Sequence, residues 1–187
     1  RERMYRQGSL DSLCGVYAVI NSVKAVAHTR GFSLRRWECS ELFRQLCGVL
    51  ADGGLLADAL TDGTTIRTFQ AMTRDAHVWL LHMRGLQLEC RRAFGKSPES
   101  LDLFWRKLSD HVEAEGPGSV LIRLSGRMEH WSCVRSINDR AIILVDSDGV
   151  RILRRKLCTI AGPDRRRIHQ LIPTQALLVT CRSGARA

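Results

Sequence analysis

The hydrophobic pattern changes period about two thirds of the way along the chain. Residues 13–27 (LCGVYAVINSVKAVA) carry apolar side chains on most sides of a 3.6-residue repeat, which predicts a helix buried all round rather than one lying on a surface. A second helix is expected from a cap at Ser33 or Ser40 to about Leu50, with Leu42, Phe43, Leu46, Cys47 and Leu50 inward and Asp52-Gly53-Gly54 ending it. A short helix over 65–74 and a strand over 78–83 come next. Ser97-Pro98-Glu99-Ser100 then opens a helix to about residue 115, which Gly116-Pro117-Gly118 stops. From there the pattern alternates. Residues 119–124, 130–137 and 141–145 read as three successive strands, with turns at Ser125-Gly126 and Asn138-Asp139 and the last two forming a hairpin. Two more strands are expected at 150–153 and 176–181. Helices first and antiparallel strands after is the order of an α+β domain. The whole chain, 1–187, reads as one domain, helical to about residue 116 and a sheet from about 117.

Length and composition narrow the function classes. At 187 residues the chain can bury a full core without disulfides or a structural metal, and no apolar run nears the roughly 20 residues of a membrane span. Residues 1–7 lack the apolar core of a signal peptide. The seven cysteines include no CxxC pair and none at zinc-finger spacing from histidine, a pattern that favours thiols in a reducing compartment such as the cytoplasm. Of the 29 Lys and Arg, nine lie from Arg151 onward against a single acid, Asp164, so the net charge of +10 is concentrated at the C-terminal end. Such a segment is either a solvated face or a grip on an acidic partner, nucleic acid or acidic protein.

Cys14 is the cysteine with chemical promise. A thiol at the start of a helix meets unpaired backbone N–H groups and the positive end of the macrodipole, which favour the reactive thiolate. Gly15 clears space for an approaching substrate backbone. Gln7 is placed to fold back and join the Cys14 N–H as a second oxyanion donor. Asp11 reads as a cap of the same helix. In the second half, His130 begins a strand and Asp146 ends the next, so a tight hairpin sets them side by side. A carboxylate fixes the imidazole in one tautomer and keeps it basic. Asp146 is alternatively a turn former, with Asp148 as orienter. Trp131 either shields the His–Asp bond or belongs to the core. His28, His77, His82, His111 and His169 have no evident partner in the sequence.

The blocks QGSLDSLCGVYAVIN (7–21) and HWSCVRSINDRAIILVDSDG (130–149) resemble the two active-site blocks of papain-like cysteine peptidases, most of all the small bacterial peptidase C39-like and effector-protease members. The segment between Gln7 and Cys14 departs from papain itself, lacking its tryptophan. The resemblance implies a helical half with a buried nucleophile helix packed on a C-terminal antiparallel sheet. It also implies Cys14 as nucleophile, His130 as base, Asp146 as orienter and Gln7 in the oxyanion hole. No cofactor is implied, and the substrate is a protein or peptide, acidic or ubiquitin-like among the options. Acyl transfer, glutamine deamidation and non-catalytic binding through the basic segment are the alternatives, and delivery into another cell as an effector stays open.

Overall fold

A computed structural model describes residues 11–113, 118–126, 128–162 and 165–183. Among them are five α-helices and an eight-stranded sheet. The chain opens with α1 (Cys14–His28), α2 (Arg36–Asp52), α3 (Leu56–Thr61) and α4 (Ile66–Arg84), followed by β1 (Leu86–Arg92) and α5 (Leu101–Glu113). The rest is strand: β2 (Ser119–Gly126), β3 (His130–Ile137), β4 (Ala141–Val145), β5 (Ile152–Arg154), β6 (Cys158–Thr159), β7 (His169–Leu171) and β8 (Leu177–Ser183). The sheet runs β1-β8-β2-β3-β4-β5, antiparallel throughout, while β7 extends from the end of β2 and pairs in parallel with β6. The fold is α+β. Among the described residues no helix is long and apolar enough to cross a membrane.

Strand alternation sorts the core into two layers. Leu121, Trp131, Cys133, Val145 and Val179 face α1, α2 and α4. Val120, Ile122, Val134, Leu144 and Leu178 face the other way, where Phe104, Trp105 and Leu108 of α5 cover them. Each layer is what a two-residue period demands of a sheet buried on both faces. Helix α1 lies inside the first layer with side chains buried on every side, as its all-round apolar pattern predicts.

Several boundaries differ from the sequence expectation, each for a physical reason. Neither Ser33 nor Ser40 caps α2. The Arg35 N–H donates instead to Glu38 Oε2 at 2.7 Å, and Ser40 sits inside the helix with its hydroxyl on the Arg36 carbonyl. The expected strand at 78–83 is the last part of α4. Its apolar face is Phe69, Met72, Ala76, Trp79 and Leu80 at helical spacing, whereas Val78 is 61% exposed, so the run that looked like a strand straddles both faces. Thr65 caps the start by accepting from the Thr68 N–H, and Gly85 ends it at φ 64°, a left-handed conformation that glycine adopts without steric penalty. Helix α5 starts later than Pro98, at a cap made by Ser100, whose hydroxyl accepts from the Leu103 N–H. Ser125 and Gly126 continue β2 rather than turning. The short α3 and the strand β1 were not anticipated; β1 sits in the supposedly helical half and pairs along its length with β8.

The β3–β4 hairpin carries a bulge. Cys133 pairs with Val145 and Val134 with Leu144, but then Ser136 pairs with Ile143, so one residue on β3 is extra. Asn138 closes the turn, its side-chain oxygen accepting from the Arg140 and Ala141 N–H groups.

Candidate active site

Cys14 is the first residue of α1, with Leu13 in the N-cap position. Asp11 holds this start in place by accepting from the Leu13 N–H at 3.1 Å, so it braces the approach to the helix rather than occupying the cap. The preceding loop is tied to α3, since the Ser12 N–H donates to the Leu60 carbonyl and its hydroxyl to that of Thr61. As a first-turn residue Cys14 has no acceptor for its N–H within the helix. Its sulfur is buried and accepts from the Trp131 N–H at 3.5 Å.

His130 opens β3, and Asp146 follows the last residue of β4. The His130 Nε2–H donates to Asp146 Oδ2 at 2.6 Å, with both side chains almost fully buried. The Cys14 thiol is in hydrogen-bonding contact with the same ring, which leaves Nδ1 as the nitrogen that meets sulfur. Burial works against charge on His130. The hydrogen bonds and charges of Asp146 and Cys14 overcome it and raise its pKa from 6.5 to about 10. Burial likewise opposes ionisation of Asp146, yet His130, Ser132 and the Asp148 N–H together hold its carboxyl below the ordinary value. The second carboxylate oxygen accepts from the Asp148 N–H at 2.8 Å and the Val150 N–H at 3.1 Å. A carboxylate with both oxygens engaged cannot swing away from the imidazole. Asp146 is thus a turn former and the partner of His130 at once, while Asp148 is exposed and contributes its backbone.

Gly15 has a different job from the one its position suggests. A methyl group there would come within 2.2 Å of the Thr64 hydroxyl oxygen and 3.3 Å of Thr64 Cβ. The missing side chain admits Thr64, not substrate. Trp131 belongs to the core, 1% exposed, stacked on Phe69 at 4.1 Å between ring centres, and its indole N–H donates to the Thr64 carbonyl at 3.0 Å. Arg123 reaches the same carbonyl at 3.0 Å, lies over the Trp131 ring at 5.7 Å, and pairs with Glu129 at 2.9 Å. Sequence reading missed Thr64, Phe69 and Arg123. The one available signal was the apolar–Arg–apolar pattern of β2, which puts a charge on an inward position opposite Trp131.

Gln7 lies outside the described residues. Of the histidines without an expected partner, His77 Nδ1 sits 2.8 Å from the Leu88 carbonyl and joins α4 to β1, and His111 Nε2 sits 3.1 Å from the Val179 carbonyl. Part of the basic segment is structural, because Arg155 pairs with Asp102 at 2.6 Å and packs over Trp105. The seven cysteines are all free thiols. A shallow groove of about 280 Å³ runs between α1 and α2, starting at Tyr17, one helical turn from Cys14.

No protein-family model and no curated protein matches the chain. Among solved structures it is similar to the peptidase domain of Streptococcus ComA, a bi-functional ABC transporter involved in a quorum-sensing pathway. The identity is 14%, over 97% of this chain and 98% of that one, with a TM-score of 0.47. At that distance the functional reading comes from side-chain geometry alone.

Proposed function

We propose that the protein is a cysteine peptidase that cleaves a peptide or isopeptide bond through a thioester on Cys14. The observation that carries this reading is the contact of the Cys14 thiol with an imidazole whose far nitrogen is held by a buried carboxylate at 2.6 Å. Such an imidazole takes the thiol proton and stays cationic beside the thiolate. The thiolate adds to the carbonyl carbon, and the oxygen becomes an oxyanion facing the Cys14 N–H, with the Gln7 amide as the second donor. His130 passes its proton to the leaving amine, the C–N bond breaks and the acyl group remains on sulfur. Water, deprotonated by His130, then hydrolyses the thioester and returns the thiol. Asp146 keeps its charge throughout and orients the ring. An amine in place of that water gives acyl transfer, and a glutamine side chain in place of the peptide gives deamidation; the mass of the product separates the three.

The test needs no substrate. Iodoacetamide alkylation of each cysteine is followed by mass spectrometry against pH in wild type and His130→Ala. An ordinary thiol ionises near about 8.5, and burial raises Cys47, Cys90, Cys133, Cys158 and Cys181 further. Cys14 is expected to react ahead of these five at pH 6.5, and to lose that lead in His130→Ala. Equal profiles for Cys14 in the two proteins refute the thiolate–imidazolium pair.

A further inference from the structure

The nucleophile and its base sit on different elements, α1 and β3, and something must fix the gap between them. The 62–65 connector between α3 and α4 lies against both elements. Thr64 is buried, and its side chain lies against Gly15, the neighbour of Cys14. Its carbonyl accepts two hydrogen bonds from the sheet side, one from the Trp131 indole and one from Arg123, each at 3.0 Å. Trp131 also donates its backbone N–H to the Cys14 sulfur, and it immediately follows His130. Thr64 therefore touches the helix next to the nucleophile and is tied to the strand next to the base.

Arg123, on β2, is held in this junction from three directions. One guanidinium nitrogen donates to Thr64, another pairs with Glu129, and the plane lies over the Trp131 ring. Glu129 is the residue before His130 and also accepts from the Ser125 hydroxyl. One side chain on β2 thus grips the residues on both sides of His130 and the peptide that abuts Gly15. A planar cation with several donors suits this role, since lysine offers a single point of attachment.

We infer that Arg123 is a positioning residue, clamping Thr64, Trp131 and Glu129 so that the Cys14 sulfur and the His130 ring stay in proton-transfer contact. The inference rests on the thiol-peptidase reading. It assigns Arg123 no contact with substrate; its effect passes through Thr64 and Trp131 to the reacting pair. A charge-assisted hydrogen bond to a backbone carbonyl is among the stronger single contacts in a fold.

The experiment is the alkylation profile of Cys14 against pH in wild type, Arg123→Met, Arg123→Lys and His130→Ala, with circular dichroism and the urea midpoint of each. Arg123→Met is expected to slow Cys14 alkylation about tenfold at pH 6.5, the scale of one lost charge-assisted bond. It should leave the rate at pH 10 unchanged, where every accessible thiol is ionised without help. Arg123→Lys should recover part of the loss, because it keeps the charge over Trp131 and one donor. A purely structural role predicts a lower urea midpoint with no change in the shape of the profile. If His130→Ala flattens the profile and Arg123→Met does not, the clamp is wrong and the peptidase reading survives. If His130→Ala itself leaves the profile alone, the peptidase reading fails and the clamp has nothing to position.

Discussion

Gly15→Ala offers the sharpest quantitative test of how tightly α1 is seated. Two effects compete. Alanine favours a helix over glycine by about 1 kcal/mol in mid-helix, and by less in the first turn. Against that, its Cβ would lie 2.2 Å from the Thr64 hydroxyl, 3.3 Å from Thr64 Cβ and 3.4 Å from Phe69 Cδ2. The first distance is impossible, and the other two leave little room to escape by rotating the threonine. Overpacking of this kind costs about 1–3 kcal/mol, so a net destabilisation of about 1–2 kcal/mol is expected. Thr64→Ala gives the matching half of the cycle. The Thr64 hydroxyl is buried with no hydrogen-bond partner among the described residues, so its removal relieves a desolvated polar atom and deletes one methyl. The variant should lie within about 1 kcal/mol of wild type. In the double variant the offending oxygen is gone, and the penalty of Gly15→Ala should shrink by about 1 kcal/mol or more. Urea denaturation of the four proteins measures the coupling directly. Additivity within about 0.5 kcal/mol would show that the two residues do not share space, and the account of Gly15 would fall.

Two other outcomes follow from buried charge. His130 has a raised pKa in the fold, so its stabilisation is fully present below pH 6.5 and is lost as pH climbs toward about 10. Asp146 has a lowered one, so its share is present above about pH 4 and disappears as pH falls through the lowered value. The stability gap between wild type and Asp146→Asn should therefore be widest between about pH 4 and 6.5 and narrow by pH 10; a gap constant from pH 5 to 10 contradicts the pairing. Glu38 is fully buried, paired with Arg84 and bonded to the Arg35 N–H. Glu38→Ala should cost about 3 kcal/mol by leaving that arginine and the start of α2 without a partner, and a urea midpoint unchanged from wild type would refute it.

What the sequence made legible was local. The all-round apolar pattern of α1 and the strand–turn–strand run from His130 to Asp146 each depend on neighbours in the chain, and the structure contains both. The hairpin is why the adjacency of His130 and Asp146 was readable at all. The α4 tail was misread because Val78 and Leu81, both exposed, sit beside buried Trp79 and Leu80, giving an apolar run with no single face. Strand β1 was hidden because only Leu86 and Leu88 are buried and its partner β8 is some ninety residues away. Thr64 and Arg123 were unreadable for the same reason: a backbone carbonyl leaves no trace in a sequence, and the pairing of a threonine peptide with an arginine 59 residues on exists only once the sheet has closed.

The bulge in the β3–β4 hairpin decides which side of the sheet Asp146 belongs to. On the observed register Cys133 faces Val145, so one step further Ser132 faces Asp146, and the aspartate shares the parity of Ser132 and His130. Past the extra residue the offset is one greater, with Ser136 against Ile143 and Ile137 against Ile142. Carried through without the bulge, that offset would set Cys133 opposite Asp146. The carboxylate would then point into the layer occupied by Trp131, and Val145 or Ser147 would take its place on the histidine's side. Deleting Arg135 alone should therefore be harmless to the pair, since Ser136 against Ile143 would run straight on to Val134 against Leu144, Cys133 against Val145 and Ser132 against Asp146, whereas forcing Arg135 into the ladder opposite Leu144 would take the anion from the imidazole. The pairing of His130 with Asp146 thus depends on where the strand sets aside one odd residue, as much as on the identities of the two groups.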